Sequence, residues 1–303
     1  MPIGKSDNPR SRSGSTSRGV LYVVATPLGN LEDVTLRALR VLKEVDLIAA
    51  EDTRHSRNLL RHYGIATPLT SYHDHIERQK APRLVELVRQ GKAVALISDA
   101  GTPGIADPGY HLVKAALAAG VRVQVIPGPS AVAAALSVAG LPTDRWVFEG
   151  FVPAKGGPRR RFFETLRHEP RTIVVYEAAR RLAACLRDLQ AVLGARDVVI
   201  ARELTKMFEE IVRGPVSEVL DRIGSQPMQG EITLVIAGAE TVMAPPPAEA
   251  LPAAIERLRG EGMSLKDIAR ALARERNISR REVYQAGLAL GERERPVPPA
   301  EEG

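Results

Sequence analysis

One segment constrains the fold of this chain more than any other: the run Ala95-Leu-Ile-Ser98-Asp99-Ala100-Gly101-Thr-Pro103-Gly104-Ile105-Ala-Asp107-Pro108-Gly109. A short apolar stretch, built like a buried strand, breaks at Ser98-Asp99 into a loop rich in glycine and proline, and 110–119 then reads as a helix. A strand, loop and helix in that order belong in an open α/β sheet, where ligands gather at the carboxyl ends of the strands. The glycines let backbone approach a ligand closely, and the prolines stiffen the loop. Asp99 sets a negative acceptor at the strand tip. The spacing fits neither the dinucleotide glycine fingerprint nor the P-loop, which ends in Gly-Lys-Ser/Thr.

The same pattern recurs on both sides of this loop. Compact apolar runs at 20–25, 46–50 and 121–126 are followed by Thr26-Pro27, Glu51-Asp52-Thr53-Arg54 and Pro127-Gly-Pro-Ser130. Helical apolar spacing occupies 33–45, 84–88 and 131–139, with Ser130 placed to cap the last. Strands alternating with helices at this interval imply a largely parallel sheet, which brings all four loop tips to one edge and makes a pocket there. Gly140-Leu-Pro-Thr-Asp144 marks a boundary. Beyond it, strands are expected at 146–151, 172–176, 198–202 and 232–237, with helices at 159–167, 178–193 and 215–223. Their short connections allow a mixed sheet. Ala244-Pro-Pro-Pro is a stiff linker to a small helical module at 251–290. Its arginine-rich helix pair loosely resembles a helix-turn-helix, a pattern that packing, dimerisation or nucleic-acid contact would explain equally well. The expected organisation is a basic disordered arm (1–18), two α/β domains (19–140 and 145–240), the module, and a disordered tail (291–303).

The 303 residues suffice for two domains with a well-buried core. A formal charge of +6 favours acidic partners, nucleic acid first. No apolar run approaches the ~18 residues of a membrane span, so no membrane partner is expected. The single cysteine, Cys185, lies among Leu182, Ala184 and Leu186 and reads as a core residue in a reducing, cytoplasmic setting. His73-Asp74-His75 lacks a third ligand at a telling distance, so no metal site is expected.

Glu51 and Asp52 beside Arg54 form a candidate acid/base group, with Arg54 positioned for a carboxylate or a phosphate. At a helix start the same acidic residues also serve as ordinary caps. Lys155-Gly-Gly-Pro-Arg159-Arg160-Arg161 is a basic loop running into a helix and suits a phosphate backbone. Arg202-Glu203-Leu204-Thr205-Lys206 follows a second-half strand and either faces the same cleft or forms a salt-bridged strand exit.

In order, these motifs resemble the tetrapyrrole-methylase superfamily, the class III S-adenosylmethionine-dependent methyltransferases, and most closely its branch acting on small-subunit ribosomal RNA. The carrying residues are 23–33, 50–54, 71–73, 98–109 and 126–131, continuing through Phe148-Glu-Gly-Phe151-Val-Pro-Ala-Lys155, Tyr176-Glu177, 202–206 and Gly230-Glu231. Corrin and uroporphyrinogen methylases usually carry Gly-Asp-Pro where this chain has Ser98-Asp99-Ala100-Gly101. The resemblance implies a two-domain class III fold with S-adenosylmethionine in the interdomain cleft. It also implies a homodimer that methylates a cytidine ribose 2′-hydroxyl in the decoding region of small-subunit rRNA, as free rRNA or within the 30S subunit. On that basis Pro27, Asp99, Ala100, Gly101, Pro103, Ile105, Ser130, Ala131, Leu204 and Glu231 are expected to hold the cofactor. Glu51, Asp52, Arg54 and Lys155 are expected at the reacting hydroxyl and its phosphates, and Arg159, Arg160, Arg161 and Lys206 on RNA. A tetrapyrrole-pathway methylase and a non-enzymatic RNA-binding assembly protein are the alternatives.

Overall fold

The computed structural model describes residues 19–224, 228–239, 250–276 and 278–293. The expected basic arm, the proline linker and the last ten residues lie outside these. Chain contacts divide the protein into two compact units, one up to Glu240 and one beyond it.

The first unit holds two five-stranded sheets. β1 (Val20–Val24), β2 (Leu47–Ala50), β3 (Leu69–Ser71), β4 (Ala93–Ile97) and β5 (Arg122–Ile126) are all parallel, in the order β3-β2-β4-β1-β5. Such a sheet needs both faces covered, which explains the near-continuous apolar strands. α1 (Leu36–Glu44) and α2 (Thr53–His62) cover one face through Val41, Leu42 and Leu60. α3 (Glu77–Arg89) and α4 (Tyr110–Ala118) cover the other through Leu84, Val88 and Leu112. The chain leaves the central neighbours β1 and β4 in opposite directions, to β2 and to β5, and this is where a doubly wound sheet opens a crevice.

α5 (Ala131–Ala139) follows β5 but packs on the second sheet, burying Val132, Ala135 and Leu136 against Val174, Val199 and Val235. This helix fastens the two halves together. The second sheet contains β6 (Trp146–Phe151), β7 (Thr172–Ala178), β8 (Asp197–Arg202), β9 (Glu210–Pro215) and β10 (Glu231–Ile236), in the order β6-β7-β10-β8-β9. Only β6 and β7 run parallel, so the sheet is mixed. α6 (Gly156–Thr165), α7 (Leu182–Leu193) and α8 (Val216–Ile223) bury Phe163, Leu186 and Val219 on its other face.

Two strands escape the sequence pattern. β3 is three residues long behind Pro68, and β9 reads Glu-Ile-Val-Arg-Gly-Pro, tolerated because it is an edge strand whose final proline need not donate. The second unit comprises α9 (Leu251–Gly260), α10 (Leu265–Arg276) and α11 (Arg280–Arg293). α11 carries helix to Arg293, into the stretch expected to be disordered from 291. No helix among the described residues is long and apolar enough to cross a membrane.

Candidate active site

The loops after β1, β2, β4 and β5 meet at the carboxyl edge of the first sheet and are tied by their own polar groups. Thr26 and Gly101 exchange backbone hydrogen bonds of 2.8 and 3.0 Å, and the Thr26 hydroxyl donates to the Ser98 carbonyl at 3.0 Å. Gly101 turns this corner at φ +79°, a left-handed conformation that favours glycine. The Thr102 hydroxyl donates to the Pro129 carbonyl at 3.1 Å, fixing the β5 loop. The Asp52 amide donates to an Asp99 carboxylate oxygen at 3.0 Å, and the Asp99 amide to Glu51 Oε2 at 3.3 Å.

From the second half, the segment between β8 and β9 reaches across to the β1 loop. The Asn30 amide donates to the Thr205 hydroxyl at 3.1 Å. Glu203 accepts from the Glu231 amide at 2.9 Å and from Lys206 Nζ at 3.0 Å, and Lys206 also reaches Glu231 at 3.1 Å. Glu203 and Thr205 sit at positive φ without being glycine. Such strain persists only where surrounding contacts over-determine it, and it clusters at ligand clamps.

Between these walls lies a cavity of about 300 Å³, at the lower end of small-molecule sites. Of the residues expected to hold a cofactor, Ala100, Gly101, Ile105, Ser130, Ala131, Leu204 and Glu231 line it. Pro27 and Asp99 line an adjoining pocket of about 380 Å³ that shares Leu28, Ala100 and Glu231 with the first. Pro103 is buried and lines neither.

Among the cavity residues absent from the sequence-based set, Asp107, Tyr176 and Glu177 carry chemistry. Burial raises the Asp107 carboxyl to about 7; the charges of Glu51, Asp99 and Asp74 add to the rise, and a Ser98 hydrogen bond opposes it. Glu51 is itself raised, by burial first. The Tyr176 phenol is pushed up to about 12 by burial and by the charge of Asp107. Glu177 bonds the Ala178 amide and Arg181 through Oε1, while its buried Oε2 has no hydrogen-bond partner. A signal was present in the sequence, Asp107 as an acid in the glycine- and proline-rich loop and Glu177 as an acid at the end of an apolar strand. Burial, which gives them their chemistry, was not.

Glu51, Asp52, Arg54 and Lys155 do not line the cavity. Asp52 caps α2, accepting from the Arg54 amide at 2.7 Å, and pairs with the Arg54 guanidinium at 2.9 Å. Those bonds hold its carboxyl down at about 2, away from the range of a base at neutral pH. Arg54 is broadly exposed, and Lys155 opens α6 on the surface.

The residues expected on RNA divide. Arg159 is 6% exposed and clamps the buried Asp188 through Nε at 2.7 Å, so its charge does not reach the surface. Arg160 bonds the other Asp188 oxygen at 2.7 Å but leaves most of its side chain in solvent, and Arg161 is exposed. Burial would raise Asp188, but the two guanidiniums outweigh it and hold the carboxyl low. Lys206 is committed to Glu203 and Glu231, with its stem against Gly29. Cys185 is fully buried and its thiol is raised by burial, which suits packing rather than nucleophilic attack. Among the described residues no group of three or more His, Cys, Asp or Glu side chains is placed to hold a metal.

Residues 20–220 match the family model for tetrapyrrole (corrin/porphyrin) methylases. A ribosomal RNA small subunit methyltransferase I from Pseudomonas aeruginosa is 52% identical over 73% of this chain and 80% of its own length. A protein of the same name from Escherichia coli O157:H7 is 46% identical over 91% of this chain and 97% of its own. Among solved structures, uroporphyrin-III-C-methyltransferase from Thermus thermophilus shares the fold with a TM-score of 0.52 at 22% identity, over 73% of this chain and 94% of that one.

Proposed function

Because the chain belongs to the tetrapyrrole methylase family, and within it to the group of ribosomal RNA small subunit methyltransferases I, we propose that it transfers a methyl group from S-adenosylmethionine to a ribose 2′-hydroxyl. The proposed acceptor is a cytidine in the decoding region of small-subunit rRNA, met as free rRNA or in the 30S subunit. The observation that carries this reading is the cavity at the carboxyl edge of the first sheet, with apolar walls and an acidic lining. Leu28, Ile105, Leu204 and Ile232 offer a surface for an adenosyl group, and Asp107, Glu177 and Glu231 offer negative charge to a cationic ligand. The orphaned Glu177 Oε2 fits that reading, since a buried acceptor is costly until a donor or cation meets it.

S-adenosylmethionine, when bound, supplies an electrophilic methyl on a sulfonium centre. The chain's task is to hold and prepare the hydroxyl. In the proposed arrangement Ala100, Gly101, Ile105, Ser130, Ala131, Leu204 and Glu231 hold the cofactor, and Pro27 and Asp99 border it. Asp107 accepts the hydroxyl proton, since a carboxyl near 7 is matched to proton transfer at neutral pH. Glu51 stands behind it as the charge that keeps Asp107 basic. Lys155, Arg54, Arg160 and Arg161 meet phosphates at exposed positions. The protein acts as a homodimer in the cytoplasm; the exposed apolar side chains Leu36, Leu117, Val125, Met207 and Phe208 give a second copy something to cover.

Mapping ribose methylation across small-subunit rRNA, in cells with and without the gene, tests the reading. One 2′-O-methyl cytidine in the decoding region should disappear. An unchanged ribose map, or loss of a base methyl instead, would refute it.

A further inference from the structure

The C-terminal unit closes its own core through Ile255, Ile268, Leu272 and Val283, which fixes α10 against α11. Between those two helices runs a groove of about 510 Å³. Lys266, Arg270, Arg280 and Arg281 line it, and among the described residues no carboxylate does. Tyr284 and Leu288 lie along it, 43% and 50% exposed.

Two of these cations sit at a helix position that does not favour them, although Glu282 shares the turn and Ser279 caps it. Arg280 and Arg281 occupy the first turn of α11, where the helix dipole favours acids and disfavours cations. Arg270 has only a loose, exposed ion pair with Asp267 at 3.8 Å, and Lys266, Arg280 and Arg281 have no carboxylate partner among the described residues. Four cations around one groove repel one another until a polyanion enters. An exposed aromatic ring and an aliphatic side chain beside them provide a platform for a base.

We propose that this groove docks a single-stranded segment of RNA, with successive phosphates on Lys266, Arg270, Arg280 and Arg281 and a base stacked on Tyr284. The inference rests on the reading above that the substrate is RNA and adds to it a second contact, on a unit without the methyl-transfer cavity. A concave site suits a threaded strand better than a flat anionic bilayer. An acidic peptide would match the charge but would have no use for a stacking ring.

The test uses the full-length chain and a fluorescein-labelled uridylate dodecamer, with anisotropy followed over a range of salt. Replacing Lys266, Arg270, Arg280 and Arg281 together by alanine should lower the salt slope of log affinity by about 3. A matched control replacing Arg40, Lys43, Arg89 and Lys114 should leave the slope near that of the parent. Exchanging Arg280 and Arg281 for lysine should preserve the slope, which separates lost charge from lost folding. Tyr284→Ala should weaken binding about tenfold without changing the slope. A four-alanine variant no different from the control would overturn the proposal. So would displacement of the oligonucleotide by polyglutamate at equal charge concentration. Methyl transfer to 30S subunits separates the two readings: a parent that fails to methylate while the groove variant loses RNA refutes only the activity. A parent that methylates while the groove variant binds normally refutes only the groove.

Discussion

Replacing Asp107 by asparagine should make the protein less active and more stable at the same time. The native carboxyl titrates near 7 instead of 3.8, because burial and the Glu51 charge disfavour its ionised form. A displacement of that size corresponds to about 4 kcal/mol against the charged state. The side chain is only partly buried, and screening by solvent brings the figure to about 2 kcal/mol. The sign follows from proton binding. Between pH 4 and pH 7 the unfolded carboxyl has lost its proton while the native one retains it, so raising the pH through this window destabilises the wild-type fold. Asparagine keeps the shape and can still accept from Ser98, but it cannot ionise. At pH 8, Asp107→Asn should therefore melt about 4–8 °C above the wild type, and near pH 4 the two should coincide. Methyl transfer should fall by about 10²–10⁴-fold, the usual contribution of a general base, and lose the acid limb of its rate profile. Thermal melts at both pH values, paired with methyl-transfer rates, decide the matter. A melting-temperature advantage over the wild type no larger at pH 8 than at pH 4, with the acid limb intact, would refute both the burial argument and the proton-acceptor role.

Three further outcomes are expected. Asp52→Asn preserves an acceptor for the Arg54 amide, so steady-state turnover should fall far less than the ~10²-fold expected on removing a general base. Asp188→Ala leaves the buried Arg159 guanidinium unpaired and should destabilise the first unit by about 3 kcal/mol, measurable by denaturant unfolding. At Gly230 the backbone holds φ +104°, and an added Cβ would lie 2.5 Å from Glu203 Oε1. Gly230→Ala should therefore cost about 2 kcal/mol and, by displacing Glu203 and Glu231, weaken S-adenosylmethionine binding by calorimetry.

The parallel character of the first sheet was readable because apolar runs ending in glycine, proline and acidic residues leave few alternatives, whereas the order of its strands and the short β3 were not. The mixed second sheet was readable for a similar reason: its connections are too short for crossovers throughout. β9 was not, since what holds it is its ladder with β8, while its own sequence is charged and nowhere fully buried. The glycine-rich loop was legible as a ligand loop, and seven of the ten residues expected at a cofactor line the cavity. The acid/base group was harder to read. Glu51, Asp52 and Asp107 are all carboxylates near strand tips, and local sequence treats them alike. The fold sets Asp52 as a solvent-facing helix cap, Glu51 in a half-buried position behind the loop, and Asp107 in the cavity wall. The basic loop shows the same division, for Arg159 and Arg161 are two residues apart, one buried on Asp188 and the other in solvent.

Apolar spacing and backbone freedom close along the chain were enough to show eight of the ten strands, the turns after them, and the gathering of four of those turns at one edge. Tertiary structure decided which charges are in water and which are not. Solvation and neighbouring charge set the chemistry of a carboxylate or an arginine: for Asp52 the neighbour is Arg54, two residues on, but for Asp107 and Arg159 it is Glu51 and Asp188, tens of positions away.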